Sequence, residues 1–214
     1  MNASLSFKRN TRILLTAIVI TILLTATSAL AASGTLDSTF GTNGIVTTQF
    51  NNLPSSASEV LLQTDGKIII LGTIKLSDGQ FKKIIARYNS NGTLDTLFGS
   101  NGKILIEIAS FSGSKIALQP DGKLIVGGLS GGKFAVVRYN SNGTQDTTFG
   151  TNGMGNVRFF SEARQSLADM MIQFDGKIVM VGDHTLGQSN FTDLFIARFN
   201  SNGTPDETFV ANGF

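Results

Sequence analysis

N-S-N-G-T-L-D-T-L-F-G-S-N-G, from Asn89 to Gly102, returns as N-S-N-G-T-Q-D-T-T-F-G-T-N-G from Asn140 to Gly153. A degenerate copy, N-S-N-G-T-P-D-E-T-F-V-A-N-G, runs from Asn200 to Gly213, and a copy without the opening residues, G-T-L-D-S-T-F-G-T-N-G, runs from Gly34 to Gly44. The glycine of Gly-Thr-x-Asp falls at 34, 92, 143 and 203, so the chain repeats at intervals of 58, 51 and 60 residues. Self-similarity at such a period marks a repeat architecture, in which each unit buries its apolar face against its neighbours.

A second element recurs between these copies: Gln63-Thr-Asp-Gly-Lys67, Gln119-Pro-Asp-Gly-Lys123 and Gln173-Phe-Asp-Gly-Lys177. Asp-Gly between apolar runs predicts a hairpin, with a type I′ turn that needs positive φ at both central residues. Apolar runs lie on both sides: Val60–Leu62 and Ile68–Leu71, Ile116–Leu118 and Leu124–Val126, Met170–Ile172 and Ile178–Val181. The outgoing runs are continuously apolar and β-branched, as expected of strands covered on both faces. A further strand is expected over Ile84–Tyr88, Phe134–Tyr139 and Leu194–Phe199, each ending in Arg and an aromatic residue. Another is expected after Asn-Gly, over Ile45–Phe50, Lys103–Ile108 and Asn156–Phe160; Ile104, Ile106 and Ile108 there alternate with Lys103, Leu105 and Glu107 at the strand period of two.

Four strands per unit of this length is the layout of a propeller blade. The expected fold is all-β: an array of three four-stranded antiparallel blades, over 45–88, 103–140 and 154–199, with linkers between. Propellers have about 4 to 8 blades, so three units need a second chain to close a six-bladed ring as a homodimer, or stack as an open array, or belong to a truncated relative of a longer protein. Val210 in place of the repeat's Gly favours truncation.

The set G-T-L-D-x-x-F-G-x-N-G, Q-x-D-G-K and A-R-Y-N-x-N-G resembles the bacterial delta-60 repeat, a β-propeller repeat family found in large secreted or surface proteins. The resemblance spans 34–214. It implies the propeller fold and an extracytoplasmic setting, and it carries no catalytic residues onto any position of this chain.

The N-terminus supports export. Lys8, Arg9 and Arg12 precede an apolar run, Ile13 to Leu24, and Ala29-Leu-Ala31 gives an A-x-A site, so residues 1–31 read as a signal peptide cleaved after Ala31 rather than as an uncleaved anchor. Without these residues 14 basic side chains face 15 acidic ones, a net charge of −1 with His184 neutral. Lys82-Lys83 is the only basic pair left, too little for a nucleic-acid surface; no membrane association is expected after the leader. The absence of Cys excludes both disulfides and a lipid-modified N-terminal Cys.

Arg87, Arg138 and Arg198 each stand eight residues before Asp95, Asp146 and Asp206. Recurrence once per unit predicts a structural Arg–carboxylate bond rather than a ring of ligand-binding charge. Phe40, Phe98, Phe149 and Phe209 read in the same way as anchors of the linkers. The Asn89-x-Asn91-Gly-x-x-Asp95 loops offer oxygen ligands, but one carboxylate and a misplaced Gly do not make an EF-hand; turn formation explains them. The sequons at Asn91, Asn142 and Asn202 follow from the repeat, and Asn190 adds a fourth. Ser112-Gly113 and Ser130-Gly-Gly132 read as hairpin glycines.

No catalytic, cofactor or metal site is predicted. The polar residues that break the repeat are Asp183, His184, Glu162 and Arg164, with His184 expected in a solvated loop. The expected function is an exported, non-enzymatic propeller protein acting as a binding or scaffold module for a protein or glycan, at the cell surface or in the periplasm. The alternatives are a propeller hydrolase or lyase with its site in the central channel, and a truncated remnant without activity.

Overall fold

The computed structural model describes residues 34–108, 111–156, 163–186 and 192–209. Residues 1–31, read above as a leader, lie outside this set, as do Glu162, Asn190 and most of the expected strand after Asn156. The chain divides into residues 1–36 and a compact unit, Asp37–Phe214, which contains all the strands found among the described residues.

Eleven strands form three antiparallel sheets among the described residues. The first sheet orders β1 (Ser55–Leu62), β2 (Ile68–Lys75), β3 (Phe81–Tyr88) and β4 (Lys103–Ile106). The second orders β5 (Phe111–Leu118), β6 (Leu124–Ser130), β7 (Lys133–Tyr139) and β8 (Met154–Asn156). The third holds three strands, β9 (Ala163–Ile172), β10 (Ile178–Leu186) and β11 (Thr192–Phe199), with β10 central.

The sheets shift the expected frame by one strand. The strand after Asn-Gly does not open a unit: β4 pairs with β3 of the unit before it, Ile104 opposite Ile85, and β8 pairs with β7. The linker turns the chain back along the strand it has just left, so the nearest free edge belongs to that strand. Ile45–Phe50, the equivalent of β4, forms only isolated bridges, Thr42 with Ile45 and Phe50 with Leu53; among the described residues no sheet precedes it to offer an edge.

The Asp-Gly hairpins form with a different turn. Gly66, Gly122 and Gly176 have φ of 82°, 81° and 80°, whereas the Asp before each stays at negative φ. The Gly66 N–H donates to the Gln63 carbonyl at 3.0 Å and the Gln63 N–H to the Lys67 carbonyl at 2.8 Å. This is a three-residue loop, a type I turn closed by a glycine bulge, with the Asp65 carboxylate accepting from the Lys67 N–H. Gly113 is likewise no hairpin residue. It lies inside β5 beside a bulge between Gly113 and Lys115, matched in β1 between Ala57 and Glu59. The bulges press the inner strands onto Gly72 and Gly128; a Cβ on Gly128 would stand 2.5 Å from the Ser112 carbonyl oxygen.

Two cores separate the three sheets. The first packs Ile69, Leu71, Ile85, Phe98, Ile104 and Ile106 against Ile116, Leu124, Val126, Val137 and Tyr139. The second packs Ile125, Phe134, Val136 and Phe149 against Ile178, Met180, Ala197 and Phe199. Residues alternate between the faces of a strand, so β6 sends Leu124 and Val126 one way and Ile125 the other. That accounts for its unbroken apolar run. β1, β5 and β9 stand side by side as the inner strands, where the Ile116 N–H donates to Glu59 Oε2 at 2.6 Å and Lys115 reaches Asp169 at 3.6 Å.

The same repeat position therefore carries different energies. Ile116 is buried between two sheets, while its equivalent Val60 lies on an uncovered face. Urea denaturation is expected to show Ile116→Ala destabilised by about 2–4 kcal/mol and Val60→Ala by no more than about 0.5 kcal/mol.

Candidate functional site

Each unit builds one ionic cluster where β3, β7 or β11 meets its linker. Arg87 Nε donates to Asp95 Oδ2 at 2.8 Å, Arg138 to Asp146 at 2.9 Å, and Arg198 to Asp206 at 2.7 Å. The expected Arg–Asp bond is present three times, and each carboxylate is buried. A second cation joins it: Lys67, Lys123 and Lys177 reach the same oxygen at 3.0, 2.7 and 2.9 Å. Sequence reasoning missed these lysines, although Lys closes every Gln-x-Asp-Gly-Lys element as regularly as Arg closes every outgoing strand.

Both cations act on the carboxylates. Hydrogen bonds from Lys123 and Thr148, with the nearby Arg138 charge, hold the Asp146 carboxyl well below the usual range, and Lys177 and Thr208 do the same for Asp206. At Asp95 burial pushes upward, and the bonds from Lys67 and Arg87 outweigh it to leave the carboxyl lowered. The guanidinium faces stack on the linker aromatics, Arg87 on Phe98 at 4.2 Å, Arg138 on Phe149 at 4.5 Å and Arg198 on Phe209 at 4.3 Å.

The Asn-Gly loops use their own oxygens. Asn91 Oδ1 accepts from the Thr93 N–H and hydroxyl, Asn142 and Asn202 bind Thr144 and Thr204 in the same way, and Asp146 Oδ1 accepts from Thr148. These are turn-forming bonds of short polar side chains.

Asp183 and His184 stand in β10, not in a loop, because β10 and its partners continue to Thr185 and beyond. As strand neighbours they point to opposite faces. Asp183 accepts from Ser166 Oγ at 3.0 Å, and His184 is buried beside Phe195, ring centroids 6.0 Å apart. The backbone of Arg164 lies opposite Thr185.

A groove lies on the face of the first sheet turned away from the second. Ile68, Ile70, Ile84, Ala86 and Tyr88 floor this groove of about 320 Å³, and Phe40, Val46, Thr48 and Phe50 roof it. The Tyr88 hydroxyl donates to Thr48 Oγ1 at 2.7 Å and ties roof to floor at one end. A groove lined this way accommodates apolar surface; its floor offers no acid–base pair.

The family described as a β-propeller domain of unknown function, DUF5122, matches residues 63–98, 119–149 and 173–209. The chain belongs to this family. Each DUF5122 match opens on the Gln of Gln-x-Asp-Gly-Lys and closes at Phe98, Phe209 or, one unit between, Phe149. The matched stretch thus holds one complete Lys–Asp–Arg–Phe cluster, and the inner strands fall outside it. No curated protein matches the chain.

Asp146→Asn leaves Arg138 and Lys123 with a neutral partner in a buried position. Chemical denaturation at pH 7 is expected to show a loss of about 3 kcal/mol, low in the range for breaking a buried pair because Lys123 still reaches water. A carboxyl with a lowered folded pKa contributes stability above its unfolded pKa and loses it as pH falls through the folded value. The gap between wild type and variant should therefore be full above about pH 5 and shrink as pH falls below about 4.

Proposed function

We propose that this is an exported, non-catalytic β-propeller module that works by binding, as a scaffold for a protein or glycan at the cell surface or in the periplasm. The observation that carries the reading is the engagement of the buried ions with one another. In every unit the buried carboxylate is held by Lys and Arg of that unit, so these groups are occupied in joining strand to linker. A buried carboxylate bonded to two cations is a poor general base, since its pKa lies far from the operating pH. Asp183 and His184 leave β10 on opposite faces, which argues against their convergence on one substrate. Export is supported by the basic, apolar and A-x-A segments of residues 1–31.

The test is to produce the full chain in a bacterial host and fractionate it. The expected product begins at Ala32, leaves the cytoplasm and sediments with purified cell envelopes. Full-length chain retained in the cytoplasm would overturn export, and a processed chain that ignores envelopes would overturn the binding role.

A further inference from the structure

We propose that the groove on the first sheet receives the outer face of the third sheet of a second copy of this chain, head to tail. This deepens the binding reading by naming a partner, and it rests on the equivalence of repeat positions. Ile68, Ile70, Ala86 and Tyr88 occupy the positions of Leu124, Val126, Val137 and Tyr139 in the second sheet, and of Ile178, Met180, Ala197 and Phe199 in the third. Both later sets are buried in the two cores, each against the sheet before it. The first set meets only the roof formed by residues 40–50 and the groove beneath it.

The third sheet presents the complementary half. Val179, Val181 and Ile196 correspond to Ile69, Leu71 and Ile85, which the second sheet buries completely. Exposure at the two ends follows from this. Val60 is 61% exposed where Ile116 is 3%, Leu194 is 85% where Phe134 is 0%, and Ile196 is 37% where Ile85 is 0%. Two faces that match the two halves of an interface the chain builds twice internally have each other as natural cover.

The backbone agrees. Among the described residues β11 pairs only with β10, whereas β3 and β7 each carry an outer strand. The segment equivalent to that outer strand, Ile45–Thr48, already lies against the back of the first sheet and outside any sheet. Transferring the β3–β4 register places Val46 of one copy opposite Ile196 of the other, as Ile104 lies opposite Ile85. The polar ties extend too: Arg87 Nη1 donates to the Ser141 carbonyl and Arg138 Nη1 to that of Ser201, so Arg198 has Ser90 of the second copy as its equivalent acceptor. Docking requires one of two equivalent turns, 37–41 or 206–209, to give up the seat beside Gly92. The Asp206 carboxylate is held by Arg198 and Lys177, whereas the Asp37 carboxylate bonds only to Thr39 among the contacts seen and the first turn keeps its seat through the Gly41 N–H to the Asn91 carbonyl, so the first turn yields. The contact is heterologous and shields the open edge of β11.

The chain contains no Cys, which makes the test clean. Val46→Cys combined with Ile196→Cys is expected to give a covalent dimer under mild oxidation, seen on a non-reducing gel. In parallel, light scattering of residues 32–214 compares wild type with a back-face variant, Val60→Glu/Leu62→Glu, and an outer-face variant, Met171→Glu/Leu194→Glu. All four side chains are exposed in one chain, and circular dichroism checks that both variants fold. Each variant alone should dissociate about a hundredfold more readily than wild type, and their 1:1 mixture should regain dimers through the one intact pairing. Absence of the covalent dimer, or a mixture that stays monomeric while wild type dimerises, overturns the proposal. Neither readout depends on export or envelope binding, so its failure is separable from failure of the proposed function.

Discussion

The guanidinium groups of Arg87 and Arg138 each make three contacts at once. Arg87 is bonded to Asp95 of its own linker, stacked on Phe98 of the same linker, and bonded to the Ser141 carbonyl of the next unit. Arg138 repeats the set with Asp146, Phe149 and Ser201. A planar fork with five donors suits this role, whereas an ammonium could not stack and bridge together. Burying the ions is unfavourable in itself; two cations on one carboxylate oxygen and a full hydrogen-bond set offset that. This joint ties the outgoing strand to its linker and to the next unit at once.

The linker also needs a floor. The Gly99 N–H donates to the Asn142 carbonyl at 2.8 Å and the Gly150 N–H to that of Asn202 at 2.7 Å. Directly beside these bonds stand Gly143 and Gly203, both at positive φ; a Cβ on Gly203 would lie 2.7 Å from the Phe149 ring. The glycine of Asn-Gly thus serves two neighbours. It turns its own loop, and it leaves room for the aromatic anchor of the unit before. Coupling of this kind makes each unit's stability depend on its neighbours; among the described residues the middle sheet packs against a sheet on both faces and each end sheet on one.

Inner strands follow a looser rule. The bulge position carries Glu59, Lys115 and Asp169, charges of alternating sign that join β1 to β5 and β5 to β9. These residues vary between units where the linker cluster does not. The repeat therefore fixes how sheets attach at their outer ends, and individual side chains adjust how they meet along the inner strands.

The sequence by itself determined the repeat, the strands and the Arg–Asp bond, because each rests on local signals: a fixed spacing, a period of two and turn residues. Asp-Gly marked the hairpins, yet its turn type depended on the strand register on both sides, which assigned positive φ to Gly66 alone. The lysine of each cluster was visible but unassigned, since nothing in a linear spacing says that Lys67 and Asp95 share one end of a sheet. Tertiary structure alone decided the frame of the sheets, for pairing goes to whichever edge lies nearest. It also decided that β10 extends through His184 and buries it, and that Ile68, Ile70 and Tyr88 floor a groove while Leu124, Val126 and Tyr139 do not. Identical positions in a repeat become different surfaces only when neighbours cover some of them and leave the others open.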